Sequence, residues 1–111
     1  MASKTLAEWS KEIHEWAKSK GWWDKPRDFS ALLMNVHSEI TEAWEEWRNN
    51  RTIHEEYVVD GKPEGIPAEL ADTMIRLLDL FAAFDIDIEA AMEKKMAYNR
   101  TRPIRHGGKK E

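Results

Sequence analysis

Near the start of the chain the apolar residues Leu6, Trp9, Ile13 and Trp16 recur at intervals of three and four, which puts them on one face of an α-helix. Thr5 with Glu8 reads as a capping box and Gly21 stands where a helix stop belongs, so the pattern predicts a first helix over about Thr5 to Ser19. Pro26 disfavours helix at the residue before it and Asp28 suits an N-cap, which leaves Trp22 and Trp23 in a connection. A second stripe, Phe29, Leu33, Val36, Ile40, Ala43, Trp44 and Trp47, predicts a half-buried helix from Phe29 to about Asn49. Periodicity lapses between Asn50 and Ile66, where Tyr57-Val58-Val59 and Asp60-Gly61-Lys62-Pro63 suggest a loop with room for a small hairpin. Pro67 opens a third helix to about Phe84, and Asp87 caps a fourth from about Ile88 to Asn99. Residues 103–111 read as a flexible basic tail.

The third helix is apolar on nearly every side: Leu70, Ala71, Met74, Ile75, Leu77, Leu78, Leu80, Phe81 and Phe84. Such a helix requires burial all round, and one chain of 111 residues offers little to cover it. The expected fold is therefore all-α, an antiparallel four-helix bundle in a single domain over 1–111, assembled as a homodimer or homotetramer. Trp9, Trp16, Trp44 and Trp47 are assigned to core or subunit interface. No apolar run approaches a membrane span and Met1 to Leu6 lacks a signal-peptide apolar region, so no membrane and a cytoplasmic location are expected. Without cysteine, any metal must be held by oxygen or imidazole.

A net charge of -4 argues against stable binding to nucleic acid, and its distribution says more than its sum. Asn35, Glu39, Glu42 and Glu46 form a ridge beside the apolar stripe of the second helix, and neither Glu39 nor Glu42 has a basic residue three or four positions away. On the third helix the polar residues Glu69, Asp72, Arg76 and Asp79 fall on a single stripe, where unpaired carboxylates near a core cost several kcal/mol each. Arg76 can pair with one acid. The alternatives are a solvated acidic face, internal ion pairs in a purely structural bundle, or a site of hard oxygen ligands suited to Mg²⁺ or Mn²⁺. Glu-x-x-His pairs, which would point to a di-iron bundle, do not occur. Towards the C-terminus, Lys95, Asn99 and Arg102 lie at i, i+4 and i+7 and would share a face if the helix persists, offering two cations and an amide to phosphate oxygens.

Ser38-Glu39-Ile40-Thr41-Glu42 followed by Glu69-Leu70-Ala71-Asp72 resembles the EExxE and ExxD signature of the MazG-like all-α nucleotide pyrophosphohydrolases. Gly21-Trp22-Trp23-Asp24, Gly65-Ile66-Pro67-Ala68 and Lys95-Met96-Ala97-Tyr98-Asn99-Arg100-Thr101-Arg102-Pro103 extend the likeness over most of the chain. The resemblance implies Glu39, Glu42, Glu69 and Asp72 as Mg²⁺ ligands and cleavage of a nucleoside triphosphate to monophosphate and pyrophosphate. It also implies Lys95 and Asn99 as phosphate contacts and, on a dCTP-preferring branch, Trp23 and His14 in a base pocket. Glu46 or one of the ligands would accept a proton from water. Ser38 stands where the motif has its first acid, which weakens any metal site that uses that position. A non-catalytic helical oligomer that binds nucleotides or a protein partner is the competing reading.

Overall fold

The computed structural model describes residues 3–104. Its elements in order are α1 (Leu6–Ser19), α2 (Phe29–Arg48), β1 (Tyr57–Val59), β2 (Lys62–Glu64), α3 (Ile66–Ala83) and α4 (Ile88–Asn99). The protein is mostly helical with one small antiparallel strand pair. Thr5 makes the expected capping box with Glu8, and Asp28 and Asp87 cap α2 and α4 with their side chains. The hairpin pairs Tyr57 with Glu64, Val58 with Pro63 and Val59 with Lys62, turning at Asp60-Gly61, both in the positive-φ region.

Helix α3 is the central element, packed along both α1 and α2, while α4 touches α1 lightly. Ile13, Leu78 and Ile88 form the buried centre, with Leu6, Ile75 and Phe81 packed against it. Ala17 is fully buried where α1 meets its neighbours, and its carbonyl accepts from the Trp22 N–H.

Helix α3 is not covered all round within one chain. Leu70, Met74 and Phe84 remain 44–46% exposed, and Trp9, Trp16, Trp44 and Trp47 are 44–57% exposed. A single layer of helices on either side of α3 leaves its third side open. No helix among the described residues is long and apolar enough to cross a membrane. Of the basic tail expected over 103–111, residues 105–111 lie outside the described residues.

Candidate metal centre

Packing of α2 against α3 turns the acidic ridge of one helix towards the polar stripe of the other. Carboxylate oxygens of Glu39, Glu69 and Asp72 lie within 4.8 Å of one another. Glu42, the fourth expected acid, is exposed and is not a member of that group. The three groups at Glu39, Glu69 and Asp72 sit at different depths. Glu69 is 5% exposed, Glu39 is half-buried and Asp72 is exposed.

Glu69 occupies the first turn of α3, its N–H donating to the Gly65 carbonyl at 3.0 Å. A helix N-terminus favours a carboxylate by about 0.3–1 kcal/mol, which is less than the several kcal/mol of taking a charge out of water. Burial wins and pushes the Glu69 carboxyl up to about 7, helped by the hydrogen bond that protonated Glu69 donates to Glu42 and by the negative charges of Glu42, Asp72 and Glu64. The Asp72 carboxyl is also raised, first by the protein around it and then by Glu39, with Lys62 and Arg76 acting the other way. Glu69 Oε2 is buried and has no hydrogen-bond partner. An acid cluster holding a buried, unpartnered oxygen has the chemistry of a hard divalent-cation site.

Arg76 does not pair within its own helix. Its Nε donates to Glu39 Oε1 at 2.6 Å across the α2–α3 interface, and its guanidinium lies 4.9 Å over the Trp22 ring. One arginine thus neutralises one acid of α2 and leaves Glu42, Glu69 and Asp72 without a direct basic partner among the described residues. Glu46 accepts from the Tyr57 hydroxyl at 2.9 and 3.0 Å, so the hairpin grips the end of the ridge.

The expected base-pocket residues His14 and Trp23 do meet, around the carboxylate of Asp79. Asp79, 4% exposed, accepts from the Trp23 indole N–H at 3.0 Å and lies 2.7 Å from His14 Nδ1. The His14 and Trp23 rings meet edge-on with centroids 5.4 Å apart, and Arg27 lies 5.5 Å from the Trp23 ring centre. Asn35 lines a narrow cavity with Trp22, Arg27, Arg76 and Asp79. A larger open cleft of about 800 Å³ lies between α1 and the α3–α4 link, lined by Ser10, Lys11, His14, Lys18, Phe81 and Asp85 among others. None of the four acids lines it.

The phosphate-binding expectation fares differently. Helix α4 ends at Asn99, so Arg102 does not continue its face, although Arg102 and Lys95 each lie 5.7 Å from the Tyr98 ring centre. Asn99 Nδ2 points to Met96 Sδ at 3.9 Å. Ile88 is the only buried residue of α4, and none of the hydrogen bonds or ion pairs of Lys95, Asn99 and Arg102 reaches the acids. Within one chain these residues are not brought to the carboxylates.

Glu64 and Tyr57 are additions that the sequence pattern did not reveal. Both lie in the aperiodic stretch, where no helical face links them to Glu46 or Glu69; Tyr57 reaches Glu46 by a hydrogen bond, and Glu64 lies beside Glu46 and Glu69 in space. Comparison with known proteins yields no matching family model, no matching curated protein and no matching solved structure.

Proposed function

We propose that the chain is a Mg²⁺-dependent nucleoside triphosphate pyrophosphohydrolase of the MazG-like type, acting in the cytoplasm. The observation that carries the reading is the buried, unpartnered Glu69 oxygen within an acid group whose members come from two helices. Glu39, Glu42, Glu69 and Asp72 would hold the cation, and Mn²⁺ would substitute for it. When bound, the ion supplies charge neutralisation at the phosphate oxygens and orientation of the attacking water. The chain's part is to fix the acids on two packed helices, so that little reorganisation is needed at reaction. Water adds to the α-phosphorus, pyrophosphate leaves, and the water's proton passes to Glu46 or to one of the ligand carboxylates.

The phosphate side calls for a second copy of the chain. Lys95, Asn99 and Arg102 supply cations and an amide but do not reach the acids of their own chain. The exposed apolar faces of α1, α2 and α3 supply an interface. The radius of gyration of 16.7 Å, against about 13 Å for a compact domain of this length, fits a protomer that completes its bundle in an oligomer. Light scattering at micromolar concentration should give a homodimer or homotetramer mass; a monomer would remove this part of the proposal.

A nucleotide panel with Mg²⁺ tests the reaction. Pyrophosphate should be released from at least one nucleoside triphosphate, and Glu42→Gln and Asp72→Asn should each cut the rate by at least about a hundredfold, since metal stabilisation is worth several kcal/mol. Full activity in both variants would overturn the site. A second reading, a nucleotide-binding oligomer without turnover, is favoured by the 2.6 Å Arg76–Glu39 pair, which occupies one of the ligands, and by Ser38 in place of an acid. Calorimetric binding of a nucleotide with no pyrophosphate release under Mg²⁺ or Mn²⁺ would select it.

A further inference from the structure

We propose that Glu46, Glu64 and Glu69 form a second site for a hard divalent cation, Mg²⁺ or Mn²⁺, which ties the hairpin to α2 and α3 and shares the Glu69 carboxylate with the Glu39–Asp72 group. One carboxylate oxygen from each of the three residues lies within 4.8 Å of the others. The three come from three different elements: the end of α2, the last residue of β2 and the first turn of α3.

Their burial gives the cluster its meaning. The side chains of Glu46 and Glu64 are 16% and 17% exposed, and Glu69 is 5% exposed. Three carboxylates so close and so little hydrated repel one another strongly. The positive charge facing them is slight. Lys62 Nζ stands 3.3 Å from Glu64 Oε1 on a side chain that is 68% exposed, and Arg51 Nε is 3.9 Å from Glu46 Oε2 while its Nη1 bonds Glu55 at 2.6 Å. Tyr57 adds one hydroxyl to Glu46.

The independent observation is Glu69 Oε2, buried and without a partner. Glu69 belongs to both acid groups, and its carboxylate has two oxygens to offer to two ions. Hairpin register supplies the rest. Tyr57 lies opposite Glu64 across the strand pair and holds Glu46 through its hydroxyl, which sets both outer ligands from one residue pair. Three carboxylates leave coordination positions for water, as Mg²⁺ prefers. The site requires no nucleotide, and it shares Glu69 with the proposed hydrolytic centre.

Titration of the full chain with Mn²⁺ alone, followed by electron paramagnetic resonance, tests it. The wild type should bind two ions per chain, spin-coupled through the shared carboxylate. Glu46→Gln and Glu64→Gln, on different elements, should each weaken one ion about 10- to 100-fold and leave an uncoupled six-line spectrum. If one variant fails to fold, judged by its helical circular dichroism, the other decides. Asp72→Asn should keep the ion that those two lose. Wild-type stoichiometry and coupling in both glutamine variants would overturn the second site. An ion lost in them but untouched by Asp72→Asn would support it while removing the Glu39–Asp72 site.

Discussion

Glu69→Gln is expected to lose at least about a hundredfold in pyrophosphate release and yet to be more stable than the parent protein in metal-free buffer at pH 8. Both effects have one cause. The Glu69 carboxyl is pushed up to about 7 by burial and by Glu42, Asp72 and Glu64 around it, whereas in the unfolded chain it titrates near 4.5. Between these values the folded protein keeps a proton that the unfolded chain has released. Stability from this group is therefore full below about pH 4.5, falls as pH rises, and is lost once pH passes about 7. The loss is on the order of 3 kcal/mol. Gln has no proton to lose, so denaturant midpoints of the two proteins should converge towards pH 5 and separate at pH 8. Mg²⁺ should narrow the gap at pH 8 by stabilising the parent alone. Equal stability at pH 8 without metal would mean that Glu69 carries no electrostatic strain, and the case for a cation there would fall with it.

Gly65→Ala should be the most damaging single-methyl change in the hairpin region, costing roughly 3 kcal/mol or more. Gly65 has φ 112° and ψ 171°, a conformation that residues with a side chain adopt at a cost of about 1–3 kcal/mol. A Cβ there would also run into the backbone carbonyl of Glu55, which cannot swing aside as a flexible side chain would. Gly61 is the control. Its φ is +79°, but an added Cβ meets nothing within 4 Å, so Gly61→Ala should cost only about 1–2 kcal/mol. In a domain of this size 1 kcal/mol moves Tm by roughly 4–8 °C, so thermal melts separate the two variants clearly. Equal shifts would show that the Glu55 contact is not important. Because Glu64 precedes Gly65 and the Glu69 N–H donates to the Gly65 carbonyl, the same change should also weaken Mn²⁺ binding.

Helices and caps were readable because their causes are local. Thr5 with Glu8, Asp28 and Asp87 cap through bonds within one turn, and the 3.6-residue period of Leu6, Trp9, Ile13 and Trp16 is a property of the chain itself. The acids were readable for the same reason. Spacing alone put Glu39 with Glu42 and Glu69 with Asp72 on helix faces, and it singled out the stripe that ends at Asp79. One predicted arrangement fares less well. Lys95, Asn99 and Arg102 share a face only on a helix that persists, and α4 stops at Asn99. The exposure of Leu70, Met74 and Phe84 agrees with the expectation that one chain does not cover helix three.

By itself, then, the sequence determined which segments are helical, where they begin, and which carboxylates could face one another, since each depends on residues within a turn or two. Tertiary structure alone decided the partners. Arg76 reaches Glu39 rather than an acid of its own helix because α2 and α3 cross there. Asp79 gathers His14 and Trp23 because α1 and the following connection close over α3. Glu64 joins Glu46 and Glu69 because the turn at Gly65 folds the hairpin back on the helices. Apart from Glu64 with Glu69, these contacts join residues far apart in the chain; packing and desolvation fix them, and no local periodicity encodes them.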